Sequence, residues 1–75
     1  MPKLPSVSGE RVVRALKPGG FIELRQRGSH VSLEKHTSDR VFKTVVPMHG
    51  ELAKGTLSDI LKQCGLAVEE FLDLL

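Results

Sequence analysis

The chain carries three histidines, His30, His36 and His49, and a single cysteine, Cys64. An unperturbed imidazole titrates near pH ~6.5 and so takes or gives a proton at neutral pH. His30 has the most informative neighbours, since it follows a Gly28-Ser29 step and stands just downstream of Arg25 and Arg27. That pattern sets a proton-transfer group beside two cations suited to a phosphate or a developing oxyanion. The alternative is a histidine on a solvated strand, or one that stiffens the Gly28 turn. His49, in "PMHG", reaches His30 only if its loop folds back over the sheet; otherwise it donates to a backbone carbonyl and orders that loop. His36 is expected in an exposed turn with no role. No metal site is expected, because positions 30, 36 and 49 lack the close paired spacing of a zinc site and have no cysteine partner. Cys64 cannot form an intrachain disulfide and reads as a small buried hydrophobe.

These side chains need a frame, and the apolar pattern supplies one. Ser8 is placed to cap a first helix, with Val7 and Val12 flanking it as a hydrophobic staple. Val12, Val13 and Leu16 then recur at helical spacing, and Pro18-Gly19-Gly20 stops the helix. Alternation marks three extended segments, "FIEL", "HVSLEK" and "VFKTVV". Ile22, Leu24, Val31 and Leu33 fall on one set of alternate positions, and Glu23, Arg25, His30, Ser32 and Glu34 on the other. His30 is therefore expected on the polar face. "QRGS" is the first turn, hinged at Gly28, and "HTSD" the second; Pro47 closes the third strand.

"MHGELAKG" reads as a loop, after which Thr56 begins a second helix with Asp59 in a capping-box position. Leu57, Ile60, Leu61 and Cys64 make its buried face, and Gly65 terminates it. "VEEFLDLL" adds a short amphipathic helix with Phe71, Leu74 and Leu75 on one side. The order α-β-β-β-α with a short extra C-terminal helix predicts an α+β fold: a three-stranded antiparallel sheet with the helices on one face.

Size and charge narrow the functional classes. At 75 residues the chain is read as one domain, 1–75, with a small core. Its composition, 40% hydrophobic and 27% charged, is that of an ordinary globular protein. No apolar run is long enough to span a bilayer, so no membrane partner is expected. Met1 to Pro5 lacks the apolar stretch of a secretory signal, so the expected location is cytoplasmic. The net charge of +2 is unevenly spread: all 11 Lys and Arg against 6 Asp and Glu lie before residue 63, and none against 3 from there on. A basic body with an acidic tail suits a polyanion such as RNA, although a solvated surface often carries as much.

The ordered set Gly20-Phe21, Arg25-Gln26, Gly28-Ser29-His30, Pro47-Met48-His49, Lys54-Gly55-Thr56-Leu57, Gly65-Leu66 and Glu69-Glu70-Phe71-Leu72 resembles the HicA toxin family over nearly the whole chain. The resemblance implies a fold similar to a double-stranded-RNA-binding domain and an endoribonuclease that cleaves mRNA. It also implies a HicB-type antitoxin as protein partner, and makes His30, in Gly-Ser-His, the catalytic residue. The chain departs from the family pattern at Pro18-Gly19, at Thr37-Ser38-Asp39 and at Ala67, where a capping Ser or Thr is usual. The last predicts a frayed C-terminus.

RNA brings its own nucleophile, the 2′-hydroxyl. Cleavage therefore needs a base, an acid for the leaving 5′-oxygen and cations for the phosphorane, but no metal and no cofactor. His30 is the expected general acid or base, with His49 the candidate second proton-transfer group. Arg25, Arg27, Ser29 and Lys54 are the candidates to hold RNA. The rival reading is a non-catalytic RNA-binding module. Against it, Trp and Tyr are absent and only three Phe are present, so no stacking platform is available. Lys54 also stands nearly alone where a duplex reader needs several lysines.

Overall fold

The structure is a computed structural model that describes residues 3–75. Met1 and Pro2, the start of the segment read above for a secretory signal, lie outside the described residues. Helix α1 spans Gly9–Leu16, and the Ser8 hydroxyl caps it by accepting from the Arg11 N–H at 3.1 Å. Val7 and Val12, on either side of the cap, are both buried, as a hydrophobic staple requires. After the Pro18-Gly19-Gly20 turn come β1 (Ile22–Arg27), β2 (His30–His36) and β3 (Val41–Pro47), then α2 (Lys54–Cys64) and α3 (Val68–Leu74). The strands form one antiparallel sheet in the order β1-β2-β3. Architecture and class are those expected, α-β-β-β-α with a third helix.

The β1–β2 turn has just two residues, Gly28 and Ser29, with Gly28 at φ +56° and Ser29 on the ordinary side of φ. Glycine at the first central position is the type II′ pattern, whose twist matches that of the flanking strands. Thr37 closes the second turn. Its hydroxyl accepts from the Arg40 N–H at 3.2 Å, and its own N–H donates to the Arg40 carbonyl at 2.9 Å. In β2 and β3 the alternation is regular: Val31, Leu33, Thr44 and Val46 are buried under the helices, while His30, His36, Lys43 and Val45 lie exposed on the opposite side. All three helices pack into one core on that buried face, which includes Leu16, Leu57, Ile60 and Phe71.

Strand β1 departs from the expected pattern. Ile22 and Leu24, expected beside Val31 and Leu33, are 64% and 56% exposed. The cause is a β-bulge: Arg25 pairs with Ser32, but Glu23 pairs with Leu33, which leaves Leu24 without a partner. One extra residue reverses the facing of everything upstream. Ile22, now opposite Glu34, is turned outward, and Phe21 enters the core in its place. Glu23 moves to the helix side, where its carboxylate meets the Lys17 ammonium at 3.2 Å.

Smaller corrections concern the helix ends. Helix α2 starts at Lys54, with Ala53 at its cap and no side-chain capping bond, so Thr56 and Asp59 lie inside it and form no capping box. Buried Leu52, whose N–H donates to the Val7 carbonyl at 2.9 Å, fixes the chain just before Lys54 and sets the start by tertiary contact. His36 is the last residue of β2 and bonds Glu34, so the turn begins one residue later than expected. At Ala67 there is no side-chain acceptor, but the Glu70 carboxylate accepts from the Ala67 N–H at 2.9 Å and supplies half of a box. Leu75, expected on the buried side of α3, is exposed.

Phe71 is the anchor of α3, with no exposed surface, whereas Leu72 beside it is 37% exposed. We expect Phe71→Ala to cost about 3–5 kcal/mol, a large part of the stability of so small a domain, and Leu72→Ala to cost less than about 0.5 kcal/mol. Urea unfolding of both variants tests this, and equal costs would contradict the packing described.

Candidate functional site

His30 opens β2 immediately after the Gly28-Ser29 turn, facing away from the helices. Its strand partners are Arg27 on β1 and Pro47 on β3. The turn that presents it is braced from both sides. The Gln26 amide donates to the Gly28 carbonyl at 3.0 Å, and the Met48 N–H donates to the Ser29 carbonyl. The Ser29 hydroxyl lies 3.5 Å from His30 Nδ1, and Nε2 has no partner among the described residues. His30 is thus exposed, yet carried on a fixed piece of backbone.

His49 comes to lie beside His30 without its loop folding back over the sheet, because Met48 continues along the β1–β2 turn. The chain leaves β3 at Pro47, beside His30, and two residues later the His49 ring stands edge-on to the His30 ring, with centroids 6.5 Å apart and planes at 73°. Its ring nitrogens bond no carbonyl among the described residues. It is the backbone carbonyl of His49 that orders the loop, accepting from the Gly9 N–H at 3.0 Å. The two imidazoles are thus both exposed and one ring's width apart, on the same end of the sheet.

The cations are distributed around this pair. Arg27 is directly opposite His30, and Arg25 lies opposite Ser32 on the same face. Arg25 also lines an open hollow of about 680 Å³, with Leu24, Ser32, Glu34, Lys43 and Val45 and, from the helix side, Leu33, Thr44 and Gln63. Lys43 was not singled out in the sequence, although strict alternation along β3 places it with His30. Lys54 is differently engaged. Its ammonium donates to the Leu4 carbonyl at 2.9 Å and the Ser6 hydroxyl at 3.1 Å, tying the start of α2 to the N-terminal segment. His36 pairs with Glu34 near the far end of β2. Among the described residues no group of three or more His, Cys, Asp or Glu is arranged to hold a metal ion.

What the fold and this site define is a small α+β domain that displays a histidine pair and two arginines on the bare face of its sheet. Residues 9–66 match the family described as "HicA toxin of bacterial toxin-antitoxin", and the chain belongs to the HicA toxin family. No curated protein matches it significantly. Its role is accordingly that of a toxin within a toxin-antitoxin pair, and no helix among the described residues is long and apolar enough to cross a membrane.

Cys64 is not part of the site. It is buried on α2, and burial pushes its thiol up from 9.0 to about 11, against opposing effects of a hydrogen bond with Thr44 and the charge of Lys35. The folded chain holds this proton where the unfolded chain has released it, so Cys64 contributes a loss of stability as pH rises from about 9 to about 11. Urea midpoints measured across that window should fall more steeply for the wild type than for Cys64→Ala, and parallel curves would show that the thiol is not shielded.

Proposed function

We propose that this toxin is a metal-independent endoribonuclease that cleaves mRNA in the cytoplasm, with His30 and His49 as its proton-transfer pair. The observation that carries the reading is the approach of the two imidazoles to 6.5 Å on an accessible face, in a chain that belongs to the HicA toxin family. One imidazole takes the proton of the RNA 2′-hydroxyl as its oxygen attacks the adjacent phosphorus. The other protonates the 5′-oxygen as the P–O5′ bond breaks, leaving a 2′,3′-cyclic phosphate and a 5′-hydroxyl. Arg27 beside His30, with Arg25 and Ser29, binds the phosphates and offsets the charge that builds on the phosphorane. With the nucleophile in the substrate and both protons handled by imidazoles, the reaction as written calls for no metal and no cofactor.

The protein partner in this reading is a HicB-type antitoxin that covers the same face. Four large apolar side chains are exposed on the sheet, Ile22, Leu24, Val41 and Val45. They give a protein something to bury around the charged site, as a stable interface needs.

The test is cleavage of single-stranded RNA in excess chelator by the wild type, His30→Ala and His49→Ala, with the 3′ ends identified. We expect the wild type to leave a 2′,3′-cyclic phosphate and each variant to lose about 10²–10⁴-fold in rate. The pH profile of the wild type should be bell-shaped, with one limb missing in His49→Ala. Binding without cleavage by all three proteins would favour the non-catalytic RNA-binding module. An unchanged rate and profile in His49→Ala alone would remove His49 from the chemistry.

A further inference from the structure

His49 sits on a six-residue connection between β3 and α2, and the sheet holds that connection at one point, where the Met48 N–H donates to the Ser29 carbonyl. Beyond Met48 the N-terminal segment fixes its course, meeting the connection and the start of α2 at three points. The Gly9 N–H donates to the His49 carbonyl at 3.0 Å, the Leu52 N–H donates to the Val7 carbonyl at 2.9 Å, and the Lys54 ammonium bonds the Leu4 carbonyl and the Ser6 hydroxyl at 2.9 and 3.1 Å. At the first of these points the backbones are nearly in contact. A Cβ at residue 9 would stand 2.0 Å from the Pro47 carbonyl oxygen and 2.9 Å from the Met48 Cα. Gly9 has no positive φ that would account for it, so its lack of a side chain serves this approach.

We propose that Gly9 and Lys54 are positioning residues for His49: together they strap the β3–α2 loop to the start of α1 and so set the separation of the two histidines. The proposal rests on the reading of His30 and His49 as a catalytic pair for its effect on rate, but not for its effect on geometry. The sheet carries His30 through the Gly28-Ser29 turn, whereas His49, one residue past the Met48–Ser29 bond, takes its own backbone bond from Gly9, 40 positions back in the chain. A side chain at residue 9 must push the Pro47 carbonyl away by about 1.4 Å or more to reach an ordinary contact. The carbonyl lies two residues from His49, and a displacement of that size at a reacting group costs on the order of 10²-fold in rate.

The strap also separates two roles for Lys54. If its ammonium held RNA, its loss would weaken binding and reduce the salt dependence. If it holds the loop, its loss lowers kcat and leaves KM nearly unchanged.

The experiment compares wild type, Gly9→Ala, Lys54→Met and Lys54→Arg by two measurements: magnetisation transfer between the ring protons of His30 and His49 in the free protein, and kcat and KM for RNA cleavage. Lys54→Met, a substitution of an exposed side chain, keeps the test available if Gly9→Ala fails to fold. We expect Gly9→Ala to lose the ring-to-ring signal and about 10²-fold in kcat. Lys54→Met should weaken the signal and lose about tenfold in kcat, with KM within about twofold, and Lys54→Arg should recover both. Signal lost with cleavage unchanged supports the strap and overturns the catalytic pair instead. The ring-to-ring signal retained in Lys54→Met and in any folded Gly9→Ala overturns the strap, whatever cleavage does.

Discussion

So short a chain has enough apolar surface to cover only one face of its sheet. The helices bury Val31, Leu33 and Val46 from one side, and the opposite face is left to solvent along all three strands. An antiparallel sheet tolerates this, since its backbone groups are paired within the sheet and only the side chains of the open face meet water. Everything of functional interest follows from which residues are assigned to that open face. The assignment is made by register: the Gly28-Ser29 turn fixes Arg27 opposite His30, and β3 enters with Pro47 opposite His30 on the other side. A slip of one residue in β2 would send His30 into the core and Val31 into solvent.

Much of this was legible. The Ser8 cap, the Gly28 turn, the end of α2 at Gly65 and the alternation of β2 and β3 are local, and local chemistry decides them. The bulge at Leu24 was not legible. "FIELRQR" offers two phases of alternation, one burying Ile22 with Leu24 and the other Phe21 with Glu23. The sequence favours the first by composition, and the fold takes the second upstream of Leu24 because it buries the larger Phe21 in the core and gives Glu23 the Lys17 ammonium. The start of α2 failed for a related reason. Thr56 and Asp59 look like a cap, but the contacts of Leu52 and Lys54 with the N-terminal segment act over a long range and override it.

The site divides along the same line. His30 is placed by its turn and was visible from its neighbours. The approach of His49 depends on backbone hydrogen bonds to Ser29 from Met48 and to His49 from Gly9, none of which has a signature in residue type. The one trace in the sequence is Gly9, a glycine at the first position of a helix, whose missing Cβ allows the close approach of Pro47 and Met48. Lys54 shows the converse. As a cation it belonged with the RNA contacts, and only its two acceptors show that its charge is directed at the chain itself.

The open face combines features that suit two different ligands. Arg25, Arg27 and Lys43 give the face positive charge of the kind a phosphate backbone takes up, but the exposed Ile22, Leu24, Val41 and Val45 gain nothing from a polyanion. Their burial is worth something only against another apolar surface, at roughly 25 cal/mol per Å² of area removed from water. On the proposed reading one surface therefore serves both partners by different physics, salt-sensitive contacts for RNA and apolar burial for the antitoxin. Val45 shares a row of the sheet with Arg25, and Ile22 shares one with Lys43, so a protein that buries these two side chains lies against those cations.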